Sequence, residues 1–163
     1  MNFKQLFGIV IFESKKRMDY SYKYPRPAVT VDIFIYRNSD KGLEVLLIRR
    51  KHEPFKDCWA FPGGFMDMDE TLEEAATREL EEETSLTGTG LTQFKTYSKV
   101  DRDPRGRTIT VMFYGKASEN AEVHANDDAA ETQWFSVFEP PVLAFDHQEI
   151  FDEVFEKLFG MSY

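Results

Sequence analysis

The chain shows a clear alternation of apolar and polar residues over 28–36, which predicts a β-strand. Val29, Val31, Ile33 and Ile35 would share one face of that strand. Shorter apolar runs, bounded by residues typical of turns, predict further strands. The predicted strands, in chain order, are 28–36, 43–48, 59–61, 94–100, 107–116 and 131–137.

Two other segments have the apolar spacing of amphipathic helices. The first spans about residues 72–84, and Thr71 with Glu74 fits a capping box at its start. The second begins near residue 147 and carries apolar residues at helical spacing, with a second capping box expected between Asp146 and Glu149. Together these elements predict a mixed α/β domain with helices packed on a mostly β centre.

The length of 163 residues, of which 42% are hydrophobic and 30% charged, predicts a single globular domain. We assign this domain to residues 24–163 and treat residues 1–23 as an N-terminal extension of uncertain role. Cys58 is the only cysteine, which excludes an intrachain disulfide and favours a cytoplasmic location. No apolar run is long enough to span a membrane, so we expect no membrane partner.

The negative charge of the chain is concentrated in one segment. Residues 67–83 contain nine acidic residues and one basic residue, whereas the whole chain has a net charge of −9. Such a balance argues against nucleic acid as a partner. A solvent-exposed acidic helix face is the ordinary explanation for a run of this kind.

A helical projection separates the acidic residues of this segment into two groups. With 100° per residue, the carboxylates of Glu79, Glu82 and Glu83 fall on or beside the apolar face, and the other charges fall on the solvent face. Three half-buried carboxylates repel one another and lose hydration unless a cation compensates them. Hard oxygen ligands suit Mg²⁺ and also Mn²⁺. A solvated face does not explain these three glutamates, so the pattern favours a divalent metal site.

The same segment resembles a known family motif. Residues 64–86 read GFMDMDETLEEAATRELEEETSL and resemble the Nudix box, G-x5-E-x7-R-E-U-x-E-E-x-G-U, in which U is aliphatic. Eight of its nine fixed positions match, namely Gly64, Glu70, Arg78, Glu79, Leu80, Glu82, Glu83 and Leu86. The departure is Ser85, where the pattern has glycine. Because a left-handed conformation is often needed at a helix end, serine there should cost about 1 kcal/mol of stability.

The resemblance implies a Nudix-type α/β/α sandwich with a central mixed sheet, and metal-dependent hydrolysis of a nucleoside diphosphate linked to another moiety. By position in the motif, Glu79, Glu83 and the Gly63 carbonyl would bind metal, and Glu82 would be a further ligand or order water. Family members differ in whether the first of these glutamates binds metal or acts as general base, so the role of Glu79 stays open. Arg78 would orient the carboxylates by ion pairing.

Outside the motif, a loop places Arg102, Arg105 and Arg107 within six residues. Guanidinium groups suit forked contacts with phosphate, so these three, with Arg50 from a second basic segment, are candidate substrate-binding residues. Alternatively, the loop arginines pair with the nearby aspartates at 101 and 103. A late catalytic carboxylate could come from Glu131, or from Asp127 or Asp128 before it, although a polar turn entering a strand explains these residues equally well. His147 is expected to be structural.

The wider chain resembles the ADP-ribose pyrophosphatase-like branch of the family, over residues 24–30, 101–108, 127–131 and 143–147. This resemblance implies cleavage of ADP-ribose to AMP and ribose 5-phosphate, and it also suggests a homodimer. A house-cleaning nucleoside triphosphate pyrophosphatase is the alternative enzyme. A non-catalytic ADP-ribose sensor is the alternative from another class, and the complete set of box glutamates argues against it.

Overall fold

A computed structural model describes residues 21–125 and 129–161. Predictions that concern residues 1–20, or Asp127 and Asp128, therefore lie outside the described residues. The elements are β1 (Ala28–Ser39), β2 (Gly42–Arg50), β3 (Trp59–Ala60), β4 (Gly63–Phe65), α1 (Leu72–Thr84), β5 (Thr92–Tyr97), β6 (Thr108–Lys116), β7 (Ala129–Ser136) and α2 (His147–Phe159). Neither helix is long and apolar enough to cross a membrane.

Seven strands form one mixed sheet, as the family resemblance implied. The order along the sheet is β3-β2-β1-β6-β5, while β4 pairs with β1 and β7 pairs with β2. β1 and β6 are parallel over nine residue pairs, and the other pairings are antiparallel. β1 therefore lies at the centre of the sheet, which explains why it is buried on both faces.

The two helices cover opposite faces of this sheet. Val31, Ile33 and Ile35 of β1 pack in one buried cluster with Ala76 and Leu80 of α1. The intervening Phe34 packs in a second cluster, together with Ile150, Phe151, Val154 and Phe155 of α2. Because neighbouring strand residues face opposite sides, this arrangement is an α/β/α sandwich. The fold class expected from the sequence is confirmed.

α1 has the ends that its sequence predicts. The Thr71 hydroxyl accepts from the Glu74 N–H, and the Glu74 carboxylate accepts from the Thr71 N–H, which completes the capping box. At the other end Ser85 has φ 59° and ψ 10°, the left-handed conformation expected where the motif has glycine.

Three predictions about the elements were wrong in detail. α2 does begin at His147, but Asp146 makes no side-chain cap because its carboxylate pairs with Arg102. β5 lies at 92–97, earlier than the predicted 94–100, and β7 begins at 129. The Gly63-Gly64 pair belongs to a short strand, β4. A side chain at Gly63 would collide with the Val31 carbonyl, so only glycine lets β4 pair closely with β1.

Candidate active site

A polar cleft of about 450 Å³ opens between α1, β4, the 101–107 loop and the start of α2. A volume of this size is typical of small-molecule sites. Its lining includes carboxylates and guanidinium groups together, among them Glu79, Glu82, Glu83, Arg50 and Arg105. The cleft is therefore suited to a ligand that carries negative charge and binds through a cation.

The glycines of β4 bring α1 close enough to place its carboxylates in the cleft. Glu83 is buried, and its carboxylate accepts a 2.8 Å hydrogen bond from the Gly63 N–H. Gly64 lies against the Glu79 carboxylate, and a side chain at Gly64 would occupy the same space. The side chain of Glu79 is 13% exposed and that of Glu82 is 49% exposed. The predicted inward position of Glu79 and Glu83 is thus observed, whereas Glu82 lies at the rim.

Arg78 joins four acidic and backbone groups at the cleft edge. Its guanidinium donates to Glu70 at 2.7 and 3.0 Å, to Glu79 at 2.8 Å and to Glu82 at 3.1 Å. A further N–H of the same group donates to the Phe65 carbonyl at 3.1 Å. The hydrogen bonds to Glu70 and Glu79 raise the pKa of Arg78, so it stays charged. Burial raises the pKa of the Glu79 carboxyl, and Arg78 opposes that effect.

The donor chemistry of these residues suits a divalent cation. Three carboxylates and the Gly63 peptide group line one cleft, and hard oxygen atoms are the ligands that Mg²⁺ and Mn²⁺ prefer. In the part of the chain that the structure describes, no three acidic, histidine or cysteine side chains already converge as a metal cage. Instead, Glu79 and Glu82 share Arg78 while Glu83 bonds to Gly63.

Two of the three loop arginines lie in the cleft. Arg102 is buried and donates to both oxygens of Asp146, at 2.8 and 2.6 Å. Arg105 donates to both oxygens of Asp103 and lies over the Phe145 ring, with 5.5 Å to its centroid. The alternative in which a loop arginine pairs with a loop aspartate therefore holds for Arg105, whereas the partner of Arg102 is 44 residues away.

The structure does not bring Arg107 into the cleft. Its guanidinium donates to the Ser98 and Lys99 carbonyls at 2.9 and 3.3 Å, and it is absent from the cleft lining. Arg107 thus closes the hairpin between β5 and β6. Arg102 and Arg105 line the cleft although they belong to the same loop, because the side chains along a turn point in different directions.

Arg50 lines the cleft from the end of β2. Its guanidinium donates to the Pro54 and His52 carbonyls at 3.0 and 3.4 Å and lies 4.8 Å from the centroid of Phe145. Burial and the nearby Arg105 lower the pKa of Arg50. Two guanidinium groups, those of Arg50 and Arg105, therefore flank one aromatic ring in the cleft.

Glu131, which the sequence offered as a late catalytic carboxylate, is not among the residues that line this cleft. Its neighbour Thr132 donates to the Glu83 carbonyl and so faces α1. Consecutive strand residues face opposite sides, so Glu131 is directed away from α1. There it is exposed and lies 3.6 Å from Arg49, its register partner on β2.

The polar floor of the cleft was not predicted from the sequence. Asp32 lies there, in the middle of β1, and its Oδ2 accepts a 2.6 Å hydrogen bond from Thr110 on β6. His147 lies 3.5 Å away, measured from its Nε2 to Oδ1 of Asp32. Burial lowers the pKa of His147, and its Nδ1 accepts from the Phe61 N–H at 3.2 Å, so the ring is neutral with its proton on Nε2. A lone acidic residue inside an apolar strand was the signal that would have indicated this floor.

Comparison with known proteins gives the family. The model of the family described as "NUDIX domain" matches residues 26–158 of this chain. The chain is 44% identical over 137 residues to an ADP-ribose pyrophosphatase from Methanocaldococcus jannaschii, covering 83% of this chain and 78% of that protein.

Two further relatives are named for ADP-ribose or ADPR. The chain is 33% identical to an ADPR responsive transcriptional repressor, NtrR, from Acinetobacter baylyi, covering 83% of this chain and 56% of the repressor, so it spans just over half of that protein. Among solved structures, the NUDIX domain of Shewanella oneidensis NrtR, complexed with ADP ribose, superposes with a TM-score of 0.79 at 30% identity, covering 86% of this chain and 94% of that one. The chain belongs to the NUDIX domain family, whose enzymes generally need a divalent metal ion.

Proposed function

We propose that this protein hydrolyses ADP-ribose to AMP and ribose 5-phosphate, with Mg²⁺ as its metal and Mn²⁺ as a substitute. The observation that carries the proposal is the presence of Glu79, Glu82 and Glu83 along one cleft, at the spacing of the family motif. The substrate follows from the similarity to an ADP-ribose pyrophosphatase and to a NUDIX domain complexed with ADP ribose. The single cysteine supports a cytoplasmic location.

Glu79, Glu83 and the Gly63 carbonyl would hold the ion, and Glu82 at the rim would complete its shell or order water. When bound, the ion neutralises diphosphate charge and activates water for attack. Arg78 holds Glu79 and Glu82 in place through its hydrogen bonds at 2.8 and 3.1 Å. The motif glutamates thus act from a rigid helix, which suits a reaction that depends mainly on positioning and charge.

Arg50 and Arg105 would bind the anionic substrate from the opposite wall. Arg50 contacts the Phe145 ring, and Arg105 contacts the rings of Phe145 and Phe65, so both guanidinium groups already pack against aromatic side chains. Arg102 lines the same wall, but its two hydrogen bonds to Asp146 assign it to positioning the loop. Because binding and catalytic groups occupy facing walls, the diphosphate would lie between them.

A non-catalytic sensor is the second candidate, since one relative is an ADPR responsive transcriptional repressor and another is a NUDIX domain complexed with ADP ribose. The hydrolase and the sensor would both bind ADP-ribose, but only the hydrolase would convert it to products. The full set of motif carboxylates supports turnover.

A substrate panel tests the proposal. Purified protein with Mg²⁺ is incubated with ADP-ribose, with a dinucleoside diphosphate and with nucleoside triphosphates, and the products are separated by chromatography. We expect ADP-ribose to give AMP and ribose 5-phosphate with the highest kcat/KM. Preference for triphosphates would favour the house-cleaning alternative, and binding of ADP-ribose without products would favour the sensor.

A further inference from the structure

Asp32 is a buried carboxylate that faces the cleft. Its side chain is 11% exposed, and it lies between apolar residues of the central strand. One of its oxygens accepts the 2.6 Å hydrogen bond from Thr110, whereas the other lies at the long distance of 3.5 Å from Nε2 of His147. Strong N–H···O bonds are about 2.7–3.2 Å long. The Oδ1 atom therefore retains acceptor capacity, and Asp32 is among the residues that line the cleft.

Asp32 is not needed to neutralise the buried arginine beside it. Arg102 already makes two short hydrogen bonds to Asp146, whereas its distance to Asp32 is 3.8 Å. A carboxylate that is kept at low exposure, with no short ion pair of its own, is costly for the fold. Such a group suggests a partner that comes from the ligand.

The position of Asp32 indicates which part of a ligand it would meet. Its Cα is the register partner of Gly63, and the Gly63 N–H bonds to Glu83. Asp32 is therefore a neighbour of the motif residues. A carboxylate repels phosphate, but it accepts hydrogen bonds from neutral donors. In ADP-ribose the groups directly attached to the diphosphate are two riboses, whose hydroxyls are donors of this kind.

We propose that Asp32 determines substrate specificity by accepting a hydrogen bond from a ribose hydroxyl next to the diphosphate. The hydrogen bond from the Thr110 hydroxyl orients the carboxylate for this contact. The inference rests on the proposed function, because it takes ADP-ribose as the substrate. It adds a contact for the sugar to the groups that would act on the phosphates.

The test combines the substitution Asp32→Asn with analogues of ADP-ribose that each lack one ribose hydroxyl. For wild type and Asp32→Asn, kcat/KM is measured with ADP-ribose and with analogues deoxygenated either in the adenosine ribose or in the terminal ribose. We expect Asp32→Asn to lower kcat/KM for ADP-ribose about 10- to 100-fold, because the charged acceptor is replaced by a weaker, neutral one. With the analogue that lacks the hydroxyl bound by Asp32, the kcat/KM values of wild type and Asp32→Asn should differ less than threefold.

The two deoxy analogues identify which ribose is bound. An inosine analogue of ADP-ribose, which lacks the adenine amino group, serves as the third arm. If Asp32→Asn lowered kcat/KM with every substrate except the inosine analogue, Asp32 would accept its hydrogen bond from the adenine amino group, and the proposal would be overturned. An equal penalty with every substrate would mean that Asp32 is purely structural, and it would overturn the proposal too.

Glu44→Gln is the matched control. Glu44 is a buried carboxylate on the neighbouring strand β2, where it pairs with Arg37 at 2.9 Å outside the cleft lining. This substitution should leave the ratio between substrates unchanged. A wild-type protein that does not cleave ADP-ribose would instead refute the proposed function, so the two failures are distinguishable.

Discussion

Arg102 and Asp146 form a two-bond ion pair, at 2.8 and 2.6 Å, that fastens the loop after β5 to the first turn of α2. Their side chains are 4% and 11% exposed. The pair holds one wall of the cleft, where Arg105 and Phe145 lie within one to three residues of its members. Its contribution is therefore both to stability and to the shape of the site.

Removing one charge of this pair should destabilise the protein. We expect Asp146→Asn to lower the free energy of unfolding by about 3 kcal/mol, because the buried guanidinium of Arg102 loses the carboxylate that accepts its two short hydrogen bonds, and Asp32 lies farther away, at 3.8 Å. Urea denaturation measures this change. The matched control is Glu149→Gln, which breaks the exposed pair with Lys99 and should change stability by less than about 0.5 kcal/mol. Equal effects of the two substitutions would contradict the structural role of the buried pair.

Ser85→Gly should stabilise the fold. Ser85 holds the left-handed conformation that the motif normally gives to glycine, and relieving this strain should raise the free energy of unfolding by about 1 kcal/mol. The measurement is thermal or chemical denaturation. Ser85→Ala keeps the strain and should bring no gain, so stabilisation by alanine would refute the explanation. Activity should be unchanged in both variants.

Arg105 should make stability depend on pH through Asp103. Burial raises the pKa of Asp103, but the hydrogen bonds from Arg105 outweigh it, so the pKa lies below its ordinary value of 3.8. A carboxyl group whose pKa is lowered by folding stabilises the protein fully at pH values above its pKa in the unfolded state. This stabilisation is lost as the pH falls through its pKa in the folded state. The stability difference between wild type and Arg105→Gln should therefore be greatest near neutral pH and shrink below pH 3.8. A difference that stayed constant with pH would contradict the assignment.

Substitutions of glutamates on the two faces of α1 should differ in their effect on kcat. Glu83→Gln removes a buried cleft carboxylate and should lower kcat for ADP-ribose by at least about 100-fold, while Glu81→Gln, on the exposed side of α1, should stay within about twofold of wild type. Circular dichroism checks that both variants are folded. A fully active Glu83→Gln would contradict the metal assignment.

The parts of the molecule that the sequence could predict are those governed by local rules. The capping box at Thr71, the apolar face of α1 and the left-handed residue at Ser85 depend on neighbours within one helix. The inward direction of Glu79 and Glu83 follows from the same periodicity. For that reason the direction of these two side chains could be predicted, whereas Glu82, placed beside the apolar face by the same projection, lies at the rim and is 49% exposed.

The opposite wall and the floor depend on contacts between distant segments. Asp146 was expected to cap α2, but it binds Arg102, and the sequence contains no local signal for a partner 44 residues away. Arg107 and Glu131 were placed in the site on residue type alone, and the direction of each strand or loop turned them elsewhere. Asp32 was missed because only the packed sheet brings Thr110 and His147 to it.

The formation of AMP from ADP-ribose, measured with Mg²⁺ and then with excess chelator, tests the central claim most directly. The account predicts rapid release of AMP and ribose 5-phosphate with the metal, and loss of at least about 100-fold of that rate when the metal is removed. AMP release that continued undiminished in chelator, or no release from ADP-ribose under any metal condition, would contradict it.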